Sequence, residues 1–249
     1  MTTRYANLLI DTADSLAAAR SGEAAWEAIN QVGRRIGANA VNAGAFLRGV
    51  PQIAWMRSSM RAEWLGDYAG QGFHEIDPLL GAALEGRAPA LYDVARRGEG
   101  LAQQSGLGAL HDGMMAHGYN YMICHSWFDG SAGKCLVLSC EDDPRALFGP
   151  GTEKAFSAIS AMLTLGLHPP GEEAQAGAVF GADWAVIAPE ERDVLSYLAI
   201  GLSEQAVAEK LRLTQGEVAR RLAAAARRLK AETLEQTLAL ALTRGLLAI

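Results

Sequence analysis

Residues 189–229 read PEERDVLSYLAIGLSEQAVAEKLRLTQGEVARRLAAAARRL, and their reading decides the fold of the C-terminal part of the chain. Leu195, Leu198, Val207, Leu211, Val218, Leu222 and Leu229 recur at helical spacing, and two short interruptions divide them among three helices. Pro189 suits the first turn of the first helix, and Glu190 and Glu191 suit its positive end. Gly201 allows a sharp stop, and Ser203 caps the second helix. Thr214 caps the third, with Glu217 three residues on as a T-x-x-E capping box. Helix, tight turn, helix, short turn, helix is the plan of a helix-turn-helix module. On the last helix Val218, Leu222, Ala225 and Leu229 share one face, so Arg220, Arg221, Ala224, Arg227 and Arg228 point elsewhere. Arginines there can grip phosphates or a guanine edge, whereas the alanines at 223–226 read no hydrogen-bond pattern. Gln215, Arg220, Arg221, Arg227 and Arg228 are the candidate DNA contacts. A plain helical domain with a solvated basic face is the bland alternative.

The chain of 249 residues carries a formal net charge of −6, which by itself argues against nucleic acid. The charge is unevenly spread. Residues 186–249 hold nine Lys and Arg against eight Asp and Glu, and residues 210–230 hold seven bases and one acid, Glu217. A local basic patch matters more for DNA than the total. Half the residues are hydrophobic and a fifth charged, the composition of a foldable globular chain. No apolar run reaches the ~18–20 residues that span a bilayer, and residues 1–22 lack the order of a signal peptide. Cys124, Cys135 and Cys140 make an odd set in apolar runs without ligand spacing, which points to reduced, buried thiols and a cytoplasmic protein.

Upstream, helical patterns cover residues 6–20 and 23–36, broken at Ser21-Gly22. Residues 40–47 and 52–56 read as strands about a turn at 48–51. Helices follow at 61–69, after Asp77-Pro78, and at 101–116. Residues 119–127 and 134–140 are two strands of a hairpin joined by FDGSAG, and 152–167 is a long helix. Two hairpins separated by helices predict an antiparallel sheet between helical layers. The fold class is therefore α+β: an N-terminal α/β/α sandwich over residues 1–167, a polar, small-residue-rich linker at 168–182, and an all-α four-helix helix-turn-helix domain at 183–249. The fourth helix, around 233–242, is Leu-rich on one face, begins with a T-x-x-Q cap at Thr233 and Gln236, and is a candidate dimer helix.

Residues 187–247 resemble the C-terminal helix-turn-helix of LuxR-type transcription factors. Glu191, Val194, Leu195, Ala199, Gly201, Ala208, Leu211, Val218, Leu229, Ala241 and Gly245 fall on that family's pattern in register, without a gap. The N-terminal part resembles the acyl-homoserine-lactone-binding domain of the quorum-sensing branch, whose pattern is W-x3-Y-x8-D-P with an aromatic fifteen residues after the Asp. Here these are Trp64, Tyr68, Asp77, Pro78 and Tyr92. Gly118 fits the glycine before the central strand, and Ser139 the small hydroxyl position.

The resemblance implies a homodimeric, ligand-responsive regulator of transcription. Its effector would be an N-acyl-homoserine lactone, with no other cofactor and no metal, and its partner double-stranded DNA bearing a pseudo-palindromic operator. It implies that the Trp64 indole donates to the ring carbonyl and Asp77 accepts from the amide N–H. Tyr68 would cover the acyl chain, Tyr92 would pack on the lactone, and Ser139 would donate to the amide carbonyl. A mostly apolar pocket with few convergent polar groups is the general form of such a site. Each residue also has a plainer role: Trp64 and Tyr68, four apart, fit a core, and Asp77 before Pro78 fits a helix cap. The sequence departs from the pattern where Met60 replaces a Tyr that donates to the amide carbonyl, where Tyr92 replaces Trp, and where Asn120 and Met122 follow Gly118. In the DNA-binding part Glu217, Ala219, Arg221 and Leu234 depart from it. These departures keep open a ligand-independent or DNA-binding-deficient protein acting by partner sequestration. An enzyme is disfavoured: there is no G-x-S-x-G, H-E-x-x-H, P-loop or dinucleotide motif, and Cys124 and His125, adjacent on a strand, face opposite ways.

Overall fold

The computed structural model describes residues 2–47, 52–98, 106–130, 132–145, 151–171 and 187–247. The expected turn at 48–51, residues 101–105 of an expected helix and most of the expected linker, 172–182, lie outside them. The chain divides into one unit over residues 1–182 and another over 183–249. In order, the elements of the first are α1 (Thr2–Ala18), α2 (Gly22–Arg35), β1 (Ala38–Leu47), β2 (Gln52–Ser58), α3 (Ala62–Gly70), a 3-10 turn (Phe73–Glu75), α4 (Pro78–Leu84), β3 (Leu91–Asp93), α5 (Val94–Gly98), α6 (Leu107–Ala116), β4 (Tyr121–Asp129), β5 (Ala132–Cys140) and α7 (Thr152–Leu165). The second unit holds α8 (Pro189–Ala199), α9 (Glu204–Leu211), α10 (Gln215–Leu229) and α11 (Leu234–Thr243).

The five strands form one sheet in the order β2-β1-β5-β4-β3, every neighbour antiparallel. Alternation along the strands makes both faces apolar, as a sheet covered on two sides requires. Ile123, Leu136 and Leu138 face the layer in which α2 packs on β1 and α7 on β4 and β5. Ala40, Phe46, Met122, Cys124 and Cys135 face the opposite layer, where Trp64 and Tyr68 of α3, Leu79 and Ala83 of α4, and Leu110 and Met114 of α6 close the core. The result is the expected α/β/α sandwich with an antiparallel sheet.

Two local differences from the expectation have physical causes. The β4–β5 strands run to Asp129 and start again at Ala132, so the hairpin loop shrinks from six residues to two, with Gly130 at φ 58°. Phe128 and Gly133 become cross-strand partners, and Gly133 is the slot in which the rings of Phe46 and Phe128 meet at 5.6 Å. A Cβ there would stand 2.5 Å from the Phe46 ring. The edge strand β3, only three residues long, carries too little periodicity to be read from sequence.

In the second unit Val194, Val207, Ala208 and Val218 form the core, with Tyr197, Leu198 and Leu222 packed against it. Ser203 Oγ, Thr214 Oγ1 and Thr233 Oγ1 each accept the N–H of the residue three positions on. Gly201 leaves α8 at φ 91°, while the turn between α9 and α10 places Arg212 at φ 55°, a conformation that costs a side-chain-bearing residue.

No helix among the described residues is long and apolar enough to cross a membrane.

Candidate functional site

Between the sheet and the layer of α3, α4 and α6 lies a cavity of about 730 Å³, counting its open mouth. Its size falls in the range of small-molecule sites. Most of the wall is apolar: Phe46, Met56, Leu79, Leu80, Met114 and Val137 contribute to it. Met60, Trp64, Tyr68 and Asp77, four of the six residues marked out in the sequence, also line it.

Trp64 is pinned by its neighbours. Gly113 on α6 leaves the space its ring occupies, since a Cβ there would lie 2.3 Å from the indole. Tyr68, Phe73 and His117 surround it with ring centroids at 5.9, 6.0 and 5.6 Å. Its indole N–H has no hydrogen-bond partner among the described residues. Buried polar groups are normally satisfied, so a donor left open on a cavity wall marks a place for an acceptor.

Asp77 is a helix cap, the plainer of the two roles that the sequence left open, and it also lines the cavity. Its Oδ1 accepts the N–H groups of Leu79 (2.8 Å) and Leu80 (3.2 Å), capping α4 ahead of Pro78. Its Oδ2 accepts the Tyr68 hydroxyl at 2.8 Å. Burial pushes the Asp77 carboxyl above its ordinary range, opposed by the Tyr68 hydroxyl and the two amides. Burial and the nearby Asp77 carboxylate likewise push the Tyr68 phenol up. The Tyr68 hydroxyl thus belongs to Asp77, and only its ring remains to face the cavity.

Tyr92 and Ser139 do not line the cavity. Tyr92 sits opposite Met122 on the outer side of β4, and its hydroxyl lies 3.0 Å from His111 Nε2. The hydroxyl that Trp would lack needs a buried partner and finds it in His111 of α6, which does not itself line the cavity. Ser139 is fully buried, flanked by Ala40 on β1 and Met122 on β4.

In front of Ser139 stands Asn42, which lines the cavity and which the sequence reading did not single out. Ser58 Oγ accepts the Met60 N–H at 3.1 Å and donates to Asn42 Oδ1 at 2.5 Å. This orients the amide, so that Asn42 Nδ2 points toward Ser139 Oγ, at a long 3.4 Å. One N–H of Asn42 is left for the cavity. The available signal was a polar residue at an inward position between Ala40 and Gly44 of β1.

On α10, Gln215 and Arg227 are exposed. The other arginines are engaged within the unit. Glu217 binds Arg220 through Nε (2.9 Å) and Nη2 (2.7 Å), and Arg221 Nε at 3.0 Å. Arg221 also donates to the Glu190 carbonyl at 3.5 Å, and its side chain is only 20% exposed. Arg228 lies 3.3 Å from Glu191, a buried residue whose other oxygen accepts the Ala188 N–H at 2.9 Å. The expected Thr214–Glu217 capping box is therefore half formed. Thr214 caps, but the Glu217 carboxylate turns to two arginines instead of back to the Thr214 N–H. Charge-assisted pairs are stronger than a bond to a solvated amide.

No family model and no curated protein matches the chain. Solved structures do. CepR2 from Burkholderia cenocepacia, an N-acylhomoserine lactone dependent LuxR family transcription factor, matches 66% of this chain and 93% of its own at 20% identity and a TM-score of 0.51. SdiA, an Escherichia coli protein solved with octanoyl-rac-glycerol, matches 98% of this chain and 96% of its own at 14% identity and a TM-score of 0.51. At these identities the likeness is one of fold: this chain has the fold of CepR2 over two thirds of its length and of SdiA over nearly all of it.

Proposed function

We propose that the chain is a LuxR-type quorum-sensing regulator, not an enzyme, that binds an N-acyl-homoserine lactone in the first unit and DNA through the second. The observation that carries this reading is the cavity wall: an unpartnered Trp64 indole N–H, a carboxylate at Asp77 and a free Asn42 amide N–H converge on an otherwise apolar space. Trp64 donates to the lactone ring carbonyl. Asp77 Oδ2, which has a lone pair beyond the one the Tyr68 hydroxyl uses, accepts the ligand's amide N–H. Asn42 donates to the amide carbonyl, a role for which Met60 has no donor and from which Ser139 is screened. The acyl tail lies along Met56, Leu79, Leu80 and Val137. The fold shared with a lactone-dependent transcription factor supports the assignment. The protein acts in the cytoplasm as a homodimer, with the half-exposed Leu242 of α11 at the subunit contact. Paired α10 helices read a pseudo-palindromic operator.

The ligand half is tested by thermal shift with short- and long-chain lactones. At a hundredfold excess over Kd, binding adds about 2.7 kcal/mol of stability to the wild type. Trp64→Phe and Asn42→Ala should each weaken binding roughly tenfold, the loss of one hydrogen bond of about 1.4 kcal/mol. Equal absence of shift in all three proteins counts against the reading. For the DNA half, Arg220→Ala with Arg221→Ala should lower operator affinity and flatten the salt dependence by ~0.9 in log–log slope for each phosphate no longer neutralised. Unchanged affinity and slope count against it.

Glu217 favours a second reading, a protein that pairs with another regulator subunit without reading DNA, because the acid holds two of the candidate contacts. A gel shift with promoter DNA, with and without lactone, separates the two.

A further inference from the structure

Cys124 on β4 and Cys135 on β5 face the cavity side of the sheet on adjacent strands, offset by one inward position. Cys124 pairs with Val137, and Cys135 with Ser126. Their sulfurs are 3.4 Å apart, and both thiols are free. Cys135 lines the cavity, while Cys124 lies beside it in the same buried cluster. The third cysteine, Cys140, falls on the opposite face of β5 by strand alternation. We propose that Cys124 and Cys135 form an oxidisable dithiol in the cavity wall, closed to a disulfide by a small hydroperoxide that enters the cavity.

The chemistry suits the arrangement. The hydrogen bond between the two sulfurs and burial push the Cys124 thiol up, and the same bond holds Cys135 below the usual thiol range. Cys135 is the attacking sulfur because it, and not Cys124, lines the cavity through which the peroxide arrives, and it attacks as the thiolate. Its sulfur attacks one peroxide oxygen, and the O–O bond breaks. The leaving oxygen takes up the thiol proton and departs as water (or as an alcohol, from an alkyl hydroperoxide), leaving a sulfenic acid on Cys135. The Cys124 sulfur then attacks Cys135 Sγ, and the sulfenic hydroxyl leaves with the Cys124 proton as a second water. Each sulfur is oxidised by one electron, and the peroxide is reduced by two. Closing the gap to an S–S bond of about 2.05 Å needs rotation of both side chains. The diagonal offset also draws β4 and β5 together. Cys135 pairs with Gly44 of the cavity wall, so this movement reshapes the space a ligand would fill. The proposal stands whatever that ligand is.

The test is peptide mapping of the full chain after hydrogen peroxide, with free thiols alkylated by N-ethylmaleimide under denaturing conditions. Trypsin cuts after Lys134 and separates the two cysteines. The expected product is the Cys124 peptide joined to the peptide of residues 135–145, which also carries Cys140, two hydrogens lighter than their sum and released by dithiothreitol, with fragmentation placing the link on Cys135 and the maleimide on Cys140. In Cys124→Ala the reaction should stop at a sulfenic acid on Cys135 that dimedone traps. Alkylation of Cys124 and Cys135 unchanged by peroxide overturns the proposal, as does a link made through Cys140. The wild-type map needs no substitution, so a variant that fails to fold leaves it decisive.

Discussion

Asp77→Ala is expected to destabilise the N-terminal unit by about 3 kcal/mol, combining a lost helix cap of about 1 kcal/mol with a buried Tyr68 hydroxyl left without its acceptor at roughly 2 kcal/mol. For a unit of this size that is a fall in Tm of roughly 6–12 °C by calorimetry. Asp77→Asn should behave differently. Its side-chain oxygen can still accept from Leu79 and Leu80, and its amide N–H can donate to the Tyr68 oxygen, so the cap survives and the bond to Tyr68 is kept in reversed direction. A fall of the same size in both variants would mean that the carboxylate charge, not the hydrogen-bond geometry, holds α4 in place.

The pH dependence separates charge from geometry further. Burial raises the folded Asp77 pKa above the unfolded value near 3.9. Between the two values the folded chain holds a proton that the unfolded chain has released. Stability therefore falls as pH rises through that window and gains as pH drops back through it. Asp77→Asn has no such proton. Melting curves from pH 4 to pH 7 should show the wild type losing stability relative to Asp77→Asn as pH rises. Parallel curves would contradict the shift.

Glu217→Gln is expected to raise DNA affinity, roughly tenfold at low salt, and to steepen the salt dependence by about one to two in log–log slope as two guanidiniums become available to phosphates. In the wild type, Arg220 and Arg221 hold the Glu217 carboxyl down at about 2. A depressed folded pKa means that the pairing is present above the ordinary carboxylate range and is lost only as pH falls toward that value. No change of pH near neutrality releases the arginines, whereas added salt or a competing phosphate does. The helix should survive the change, because Thr214 keeps its cap on the Glu217 N–H. A filter-binding titration at several salt concentrations reads both quantities. Unchanged affinity and slope would mean that Arg220 and Arg221 do not meet DNA at all, and would favour the sequestering reading.

What the sequence alone determined is local or periodic. The helix-turn-helix was legible because each cap joins residues three apart and the apolar positions repeat every three or four. Trp64, Tyr68 and Asp77, which line the cavity, were picked out by resemblance to a family pattern, and Asp77 was legible as a cap through Pro78 beside it. What only the tertiary structure decided joins residues far apart in the chain. Tyr92 turns to His111, 19 residues away, because a buried hydroxyl takes the nearest partner that the packing offers. Asn42 stands in the cavity wall with its amide oriented by Ser58 and Ser139, 16 and 97 residues away. Cys124 and Cys135 meet because the β4–β5 register sets them on one diagonal. Even Glu217, with all its candidate partners within four residues, was read as half of a capping box, although the T-x-x-E spacing is equally compatible with the two ion pairs that form. Side-chain reach and charge selected the arginines, and neither is written in the spacing.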